Sequence, residues 1–373
     1  MQPTEQHWKL PPYSPPDFSA PPLVGAPVAS TALAPADGVL PEGYHATSNH
    51  PEYLHLHRGE WQLVGESRMD AALVLRKGKI QALEARRVRK EDLVVLGRTE
   101  NGEEGIYVHT AGFASAEPGS ADKFAFRTRG TRETPFSHSY DELYRILRHD
   151  RDHGYIAWVL GPAVAFDQDS RAAMQGLIEA GFCHALLAGN ALAVHDLEAA
   201  RSGTGLGQDI YTRQLRPQGH YNHLDLINEV RRRGSIARTL KELGLGDGII
   251  AACERRGVPY VLAGSIRDDG PLPEVLTDSR KAQDAMRRHA DRTTTVVALA
   301  TQLHTIAFGN MAPSYRVLEG NIVRPVYFYV VDMSEFSVDK LANRGSLQTT
   351  AILTNVQDFL INLWHNLGGK ESG

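Results

Sequence analysis

The sequence predicts an α/β protein in which a smaller, β-rich N-terminal domain precedes a larger domain built on a parallel sheet. Short apolar runs separated by Gly and charged turns fill residues 38–126, a pattern typical of strands. From residue 155 onward, strand-like and helix-like stretches alternate. Because this alternation favours parallel pairing, it predicts a parallel sheet with right-handed crossovers. The chain length of 373 residues is enough for both domains.

Composition divides the chain into four regions. Residues 1–37 are rich in Pro, Ala and Ser, so we expect a mobile arm that buries little apolar surface; an arm that wraps a neighbouring subunit is the alternative. A β-rich domain is predicted over residues 38–130, a linker with one helix at 140–149 over residues 131–153, and the α/β domain over residues 154–373. The strands predicted in the β-rich domain are 53–57, 71–75, 93–96 and 105–108.

The elements of the α/β domain follow from their apolar patterns. Short apolar, β-branched runs bounded by Gly or polar residues predict strands, and helix-like runs lie between them. The predicted strands are 155–160, 184–187, 258–262, 295–300, 326–331 and 350–353. The predicted helices are 170–180, 196–201, 224–232, 236–243, 248–255, 281–289, 337–342 and 356–367.

Charge and apolar content exclude several classes of protein. The formal net charge of -4 gives no field that would attract nucleic acid or anionic lipid. No apolar run approaches the ~20 residues that span a bilayer, and the first residues lack the pattern of a signal peptide. Cys183 and Cys253, the two cysteines, fit a reducing compartment and argue against a thiol-based metal site. We therefore expect a cytoplasmic protein with neither nucleic-acid nor membrane partners.

A charged loop follows the predicted strand at 258–262. After Ala-Gly-Ser, where small residues let a ligand approach the backbone, come Arg267, Asp268 and Asp269. Gly-Pro and Leu-Pro then stiffen the loop. Because open α/β sheets bind ligands at the carboxyl ends of their strands, this loop predicts one edge of an active site.

Polar residues also follow three other strands. Asp332 ends the strand 326–331, where a carboxylate can accept hydrogen bonds from both ribose hydroxyls of a dinucleotide and repel a 2′-phosphate, which favours NAD over NADP. The alternative is a carboxylate that caps the next helix. Thr301 and the amides after it suit a pyrophosphate at a helix N-terminus. Asn355 is either a helix cap or a ligand contact.

The glycine-rich run at 203–207 is not predicted to bind phosphate. A dinucleotide fingerprint needs a strand before it and a helix that starts within it. Here a helix-like run, 196–201, precedes the glycines and a polar stretch follows them. A flexible loop is the better interpretation.

Histidines and acids cluster after the strand 184–187. Ala-Gly-Asn leads into His195 and Asp196, and His220 and His223 follow. The spacing of His220 and His223 can serve a metal, but no third ligand lies at a recognisable spacing, so we predict no metal site. General acid–base or substrate-contact roles suit these residues better.

Four stretches carry a resemblance to a known family. They are Gly38–Tyr44 with Thr47–His50, Leu186–Asp196, Tyr260–Pro273 and Asn343–Ser346. In them the chain resembles the alternative, archaeal-type ornithine cyclodeaminases, whose domain is also the C-terminal part of bifunctional arginine dihydrolase/ornithine cyclodeaminase proteins of the LOR/SDH family. The resemblance spans about residues 38–365. It implies a Rossmann-like NAD-binding domain similar to deoxyhypusine synthase, without the usual glycine fingerprint.

The resemblance also implies an activity and its residues. The activity is that of an NAD-dependent, cyclodeaminating ammonia-lyase, which converts L-ornithine to L-proline and ammonia by internal hydride transfer through a cyclic imine. By position, the NAD contacts are Asn190, Ala191, Asp269, Thr301, Gln302, Leu303, His304, Asp332, Asn355 and Val356. The reaction requires a base, an acid, a cation for the carboxylate and an anion for the distal ammonium, and on these chemical grounds the candidate catalytic residues are His195 or His220 with Asp196, Asp268 as acid/base or ammonium partner, and Arg267 as a clamp on the substrate carboxylate. Asn49 and His50 are candidate substrate contacts. We expect an amino-acid substrate and a homo-oligomer.

Departures from the family pattern leave alternatives open. Met-Ser-Glu follows Asp332 where the family usually has Ile-Asn-Pro, Asn355 replaces an Asp, and Gly205 replaces a Ser. One alternative is therefore an NAD-dependent cyclodeaminase or dehydrogenase that acts on a different amino acid or amine in specialised metabolism. Another is a non-catalytic NAD-binding regulator. Arg267 and Asp268 could also form a purely structural ion pair.

Overall fold

The computed structural model describes residues 8–113, 137–268, 270–342 and 348–368. The chain divides into two compact units. The first unit comprises Met1–Phe126, Gly309–Tyr327 and Gly345–Gln348, and the second comprises Arg127–Phe308, Phe328–Arg344 and Thr349–Gly373. Residues 309–327 thus join the first unit although the sequence interpretation placed them in the α/β domain. The boundary predicted at residue 130 lies outside the described residues and stays a prediction.

The bounds of the strands and helices are as follows. The strands are β1 Thr31–Leu33, β2 Glu52–His57, β3 Glu60–Leu63, β4 Ala72–Arg76, β5 Lys79–Leu83, β6 Leu93–Val95, β7 Ile106–Val108, β8 Ile156–Leu160, β9 Ala185–Gly189, β10 Thr204–Gly205, β11 Gln208–Asp209, β12 Tyr260–Ala263, β13 Thr295–Leu299, β14 Tyr315–Leu318, β15 Ile322–Pro325, β16 Tyr327–Asp332 and β17 Gln348–Leu353. The α-helices are α1 Ser137–His153, α2 Gln168–Glu179, α3 Asn190–Ser202, α4 His220–Arg233, α5 Ile236–Leu243, α6 Ile249–Arg256, α7 Ser279–Ala290, α8 Gln302–Met311, α9 Glu335–Ala342 and α10 Val356–Leu367.

The first unit contains two antiparallel sheets, with strand orders β1-β6-β4-β5 and β3-β2-β7, and the hairpin β14–β15. Leu73 of β4 packs in one core cluster with Leu54 and Ile106. Its neighbours Ala72 and Val74 belong to a second cluster. Because successive side chains of a strand point to opposite faces, β4 contributes to both cores. The predicted β-rich N-terminal region is confirmed.

Part of the predicted arm is packed rather than mobile. β1 pairs with β6 in the register Thr31 to Val95, and Leu23 and Ala34 are buried. The backbone of β1 forms ladder hydrogen bonds at the edge of the sheet, so the low apolar content of the segment does not prevent it from folding there. Residues 1–7 lie outside the described part of the chain.

The second unit is built on a six-stranded sheet of order β12-β9-β8-β13-β16-β17. The pairs β12–β9, β9–β8 and β8–β13 are parallel. Every residue of β8 and of β13 is buried, as expected for strands covered on both faces. The predicted α/β fold with a parallel sheet is therefore confirmed. Within the described residues, every helix is too short or too polar to span a bilayer.

The strand order reverses between β8 and β13. From β8 the chain builds outward to β9 and β12, and it then returns to add β13, β16 and β17 on the other side of β8. Such a reversal is a topological switch point, and the crevice outside the carboxyl ends of the strands there is where α/β sheets bind ligands.

The run at 203–207 forms a tight hairpin rather than an open loop. β10 and β11 pair antiparallel, with Thr204 opposite Asp209 and Gly205 opposite Gln208. The preceding helix α3 starts at Asn190, earlier than the helix predicted at 196–201.

Candidate active site

Two chain segments approach each other closely at the switch point. Gly161, after β8, donates its backbone N–H to the Leu299 carbonyl at 2.8 Å. A Cβ atom at Gly161 would lie 2.0 Å from the carbonyl oxygen of Ala300, and Ala300 itself has a φ of 49°. Only a glycine fits this approach, which holds the ends of β8 and β13 together.

Replacing Gly161 with alanine is expected to lower the free energy of unfolding by about 1–3 kcal/mol, because the new methyl group displaces the backbone at Ala300. Urea unfolding followed by circular dichroism measures this loss. Gly246→Ala is the matched control, since no atom lies within 4 Å of its Cβ position and its φ is not positive. Equal stability of the Gly161 and Gly246 variants would contradict the close approach.

Asn190 and Ala191 begin α3 at the end of β9. The N-cap Gly189 provides no side-chain hydrogen bond to the first turn. Asn190 is buried, and its Oδ1 accepts a hydrogen bond from the Leu272 amide at 3.1 Å. The two residues thus lie where an anionic group can meet the amides of a helix N-terminus.

Thr301, Gln302, Leu303 and His304 form the corresponding start of α8, directly after β13. Gln302 donates a hydrogen bond to the Ser337 hydroxyl, whereas the Leu303 side chain is exposed. His304 lies beside Gly189, where an added Cβ would be 3.1 Å from its Cε1. Burial lowers the pKa of His304, and the nearby Asp268 carboxylate opposes that shift.

The loop after β12 forms a closed turn. The Ser265 amide donates to the Asp268 carboxylate at 2.7 Å, and the Asp268 amide donates to the Ser265 carbonyl at 3.0 Å. Ile266, at the tip of the turn, is fully exposed. Within the described residues no ion pair joins Arg267 to Asp268, so the structural bridge considered from the sequence is not formed. Asp269 lies outside the described residues, as do Asn343–Ser346.

Asp332 ends β16 beside an open cavity of about 590 Å³ that is lined by Asp332, Met333, Ser334 and Glu335. Its Oδ1 accepts a hydrogen bond from the Ser334 amide at 2.9 Å. The Ser334 hydroxyl, in turn, accepts one from the Ser337 amide at 3.3 Å and so caps α9. The capping role considered for Asp332 therefore belongs to Ser334.

Asn355 caps α10, as one of its two sequence interpretations predicted. Its Oδ1 accepts hydrogen bonds from the amides of Gln357 at 2.7 Å and Asp358 at 3.4 Å. Val356 is the first residue of this helix. The side-chain amide nitrogen of Asn355, Nδ2, stays a candidate for contact with a ligand.

Asp196 makes buried structural contacts, and its predicted catalytic role stays a prediction. It is fully buried and accepts a hydrogen bond from Arg171 Nε at 2.7 Å. Its carboxylate also accepts from the amides of Ile249 at 3.0 Å and Ile250 at 2.8 Å, at the start of α6. These contacts fix the carboxylate as a buried cap of α6.

His195 and His220 do not come together as a pair, because His220 lies on the surface next to Tyr221. His195 instead stacks on His223, with ring centroids 5.2 Å apart, and its other neighbour is the tilted ring of Phe166, with ring centroids 4.4 Å apart. The sequence interpretation of the two histidines as alternatives for one acid–base role is not tested by this arrangement.

Glu198 is a functional candidate that the sequence interpretation missed. It is fully buried and accepts hydrogen bonds from Thr204 Oγ1 at 2.8 Å, from the amides of Leu206 and Gly207 at 3.0 Å each, and from His223 Nδ1 at 3.3 Å. Burial by itself raises the pKa of this carboxyl, but the neighbouring histidines and the hydrogen bonds outweigh it and hold the pKa well below its usual range. The signal in the sequence is its position three residues after His195 on one helix.

Asn49 and His50 lie in the first unit, just before β2. The His50 amide donates to the Ser48 hydroxyl at 3.2 Å, and burial lowers the pKa of the His50 side chain. Among the described residues, no hydrogen-bond partner reaches the buried Oδ1 of Asn49. Their role as substrate contacts stays a prediction.

Comparison with known proteins assigns the family. The family described as arginine dihydrolase ArgZ-like, C-terminal, Rossmann fold matches residues 141–363. An ornithine cyclodeaminase of Archaeoglobus fulgidus is 38% identical over 331 residues, which cover 88% of this chain and 76% of that protein.

Solved structures agree with this assignment. A conserved LOR/SDH protein of Methanococcus maripaludis S2 superposes with a TM-score of 0.82 at 34% identity, covering 91% of this chain and 98% of the other. The ternary complex of AgrE with ornithine and NAD+ has a TM-score of 0.57 at 30% identity and covers 92% of this chain and 46% of AgrE, a bifunctional protein of Nostoc sp.. The chain therefore belongs to the family that contains the archaeal ornithine cyclodeaminases and the C-terminal Rossmann-fold domains of ArgZ-like arginine dihydrolases.

Proposed function

We propose that this protein is an NAD-dependent ornithine cyclodeaminase, which converts L-ornithine to L-proline and ammonia. The observation that carries the proposal is the carboxylate of Asp332, which ends a strand of the sheet, borders a cavity of about 590 Å³ and does not cap the next helix. A carboxylate in this position suits the ribose hydroxyls of NAD. The similarity to AgrE, whose complex contains ornithine and NAD+, supports both the cofactor and the substrate.

The described residues fit NAD in their donor and acceptor chemistry. Asp332 would accept hydrogen bonds from the ribose hydroxyls, and the first turns of α3 and α8 offer amides for the pyrophosphate. By position, the further contacts are Asn190, Ala191, Asp269, Thr301, Gln302, Leu303, His304, Asn355 and Val356. Bound NAD supplies a hydride acceptor and donor within one turnover, so the overall reaction involves no net redox change.

Residues of the loop after β12 would bind the amino acid. Arg267 has no ion-pair contact with Asp268 and can clamp the substrate carboxylate, and Asp268 offers an anion for the distal ammonium group. His304 lies beside Gly189, and burial lowers its pKa against the opposing effect of Asp268, which favours the neutral imidazole that can accept a proton from the substrate α-ammonium group. His304 would thus take the role of base for which the sequence interpretation named His195 or His220 with Asp196.

Deuterated substrate gives the sharpest test of this function. Purified protein incubated with L-ornithine deuterated at Cα, without added NAD, is expected to release proline and ammonia in equal amounts. The deuterium should be retained at Cα of proline, because the hydride returns within the same turnover. Release of a reduced dinucleotide, or loss of the label to solvent, would contradict the internal transfer, and L-lysine serves as the matched control substrate.

A second candidate is a cyclodeaminase or dehydrogenase for a different amino acid or amine. It is favoured by Met333, Ser334 and Glu335, which line the cavity beside Asp332 and replace the usual Ile-Asn-Pro of the family. A panel of amino acids and diamines assayed for ammonia distinguishes the two candidates: turnover of another substrate without proline formation from ornithine would favour the second. A role in proline biosynthesis, a cytoplasmic location and a homo-oligomeric state are proposed together with the first.

A further inference from the structure

Three side chains that can bind a metal ion converge between α3, α4 and the β10–β11 hairpin. His195 and Glu198 lie one turn apart on α3, and His223 lies on the first turn of α4. One nitrogen or oxygen atom from each residue lies within 4.8 Å of the other two. Nδ1 of His195 is 3.8 Å and Nδ1 of His223 is 3.3 Å from the same Glu198 oxygen, Oε2.

His195 has a buried nitrogen without a hydrogen-bond partner. The residue is only 6% exposed, and no described group hydrogen-bonds to its Nδ1. An unsatisfied buried polar group destabilises the folded state, so a native structure retains one only for a reason such as an ion or a bound water. Since Nδ1 is oriented toward Glu198, the missing partner belongs in the space among the three side chains.

Glu198 is oriented by contacts that resemble the outer shell of a metal site. Its Oε1 accepts from Thr204 Oγ1 and from the Gly207 amide, while Oε2 accepts from the Leu206 amide and from His223. Outer contacts of this kind fix a ligating carboxylate in position. A cation could replace the proton that His223 shares with Oε2 and would at the same time give His195 its partner.

We propose that His195, Glu198 and His223 bind one divalent cation of the zinc class. A tetrahedral site with metal–ligand bonds of about 2.0–2.2 Å places its ligand atoms about 3.3–3.5 Å apart, close to the separations of 3.3 and 3.8 Å that end at Glu198 Oε2. Two imidazoles and one carboxylate favour zinc, cobalt or nickel over magnesium and calcium, which prefer oxygen ligands. The His223 side chain is 27% exposed, so solvent can reach the fourth position.

Cobalt provides the test, because tetrahedral Co²⁺ has strong visible absorption bands. Protein stripped with a chelator is expected to bind one equivalent of Co²⁺ with these bands, and Zn²⁺ should displace it. His223→Asn and His195→Asn should each weaken binding at least about tenfold, since changes in outer-shell residues alone weaken metal affinity by about 10–100-fold. His220→Asn, an exposed residue of the same helix, is the matched control and should bind Co²⁺ like the unaltered protein.

Two further variants test whether the bound Co²⁺ lies at the proposed site. His153→Asn in every background removes the stacked pair of His149 and His153 on α1, whose rings lie 5.1 Å apart and could bind Co²⁺ weakly. Glu198→Gln tests the third ligand, and circular dichroism shows whether that variant folds. The proposal would be overturned if bound Co²⁺ gave only an octahedral spectrum, or if the His195, His223 and His220 variants bound Co²⁺ with equal affinity. Glu198 would then serve only to hold the hairpin through its hydrogen bonds. The readout is metal binding, so this outcome is independent of the ornithine assay.

Discussion

Asp196→Ala is expected to lower the free energy of unfolding by about 3–5 kcal/mol, the range observed when one partner of a buried ion pair is removed. The carboxylate is fully buried, and its loss removes the hydrogen bond from Arg171 Nε and both amide contacts at the start of α6. Arg171 keeps its hydrogen bonds to the backbone carbonyls of residues 196 and 247, but its remaining carboxylate partner is Asp247, whose side chain is largely exposed. Urea-induced unfolding measures the loss.

Asp278→Ala is the matched control for this prediction. Asp278 also caps a helix, since it accepts hydrogen bonds from the amides of Arg280 and Lys281 at 2.9 Å each, but it is exposed. Loss of such a cap is expected to cost about 1 kcal/mol. If the two alanine variants are equally stable, Asp196 is not the buried anchor described here, and its catalytic role returns to consideration.

Asp332→Ala is expected to weaken NAD binding by about 10–100-fold. Hydrogen bonds to a charged group contribute about 1.5–3 kcal/mol, and each 1.4 kcal/mol corresponds to about a tenfold change in affinity. Calorimetric titration of NAD into cofactor-free protein measures the change. Asp332→Asn retains one acceptor oxygen and should lose less.

Glu335→Ala is the control within the same cavity. Glu335 is an acid that lines this cavity, but it lies on α9 rather than at the end of β16. Its removal should leave NAD affinity within about twofold, because a surface charge contributes little. Equal losses in the Asp332 and Glu335 variants would indicate a general effect of charge and would remove Asp332 from the ribose role.

The ends of the parallel strands could be predicted from the sequence because their signals are local. β8 and β13 are apolar runs followed directly by Gly161 and Ala300, and β16 is an apolar run that ends in Asp332. Parallel strands place their carboxyl ends on one edge, so the polar residues after them could be assigned to a common site. This prediction required no knowledge of side-chain contacts for Asn190, Thr301 and Asp332.

The roles of His195, Asp196 and Glu198 could not be predicted in the same way. Neighbouring residues in the sequence suggested a His195–Asp196 pair, but adjacent residues on a helix point in directions about 100° apart. Asp196 therefore faces Arg171 and α6, while Glu198 shares the face of His195. The sequence interpretation placed both residues at the start of a helix, whereas α3 begins at Asn190 and both lie inside it.

Local sequence patterns also failed to indicate that residues 309–327 belong to the first unit. Tyr315 on β14 donates its hydroxyl hydrogen to the Val64 carbonyl at 2.5 Å, although 251 residues separate them. No property of residues 309–327 by themselves indicates that partner, and composition made them part of the α/β domain.

This interleaving has a consequence for how the chain folds during synthesis. The ribosome completes β8, β9, β12 and β13 before it reaches Gly309–Tyr327, the segment that the N-terminal unit still lacks. Domains of a simple tandem protein can fold one after another as they emerge. Here the first unit to be started must wait for residues made after β8, β9, β12 and β13, so the nascent N-terminal sheets remain incomplete while most of the parallel sheet is being formed.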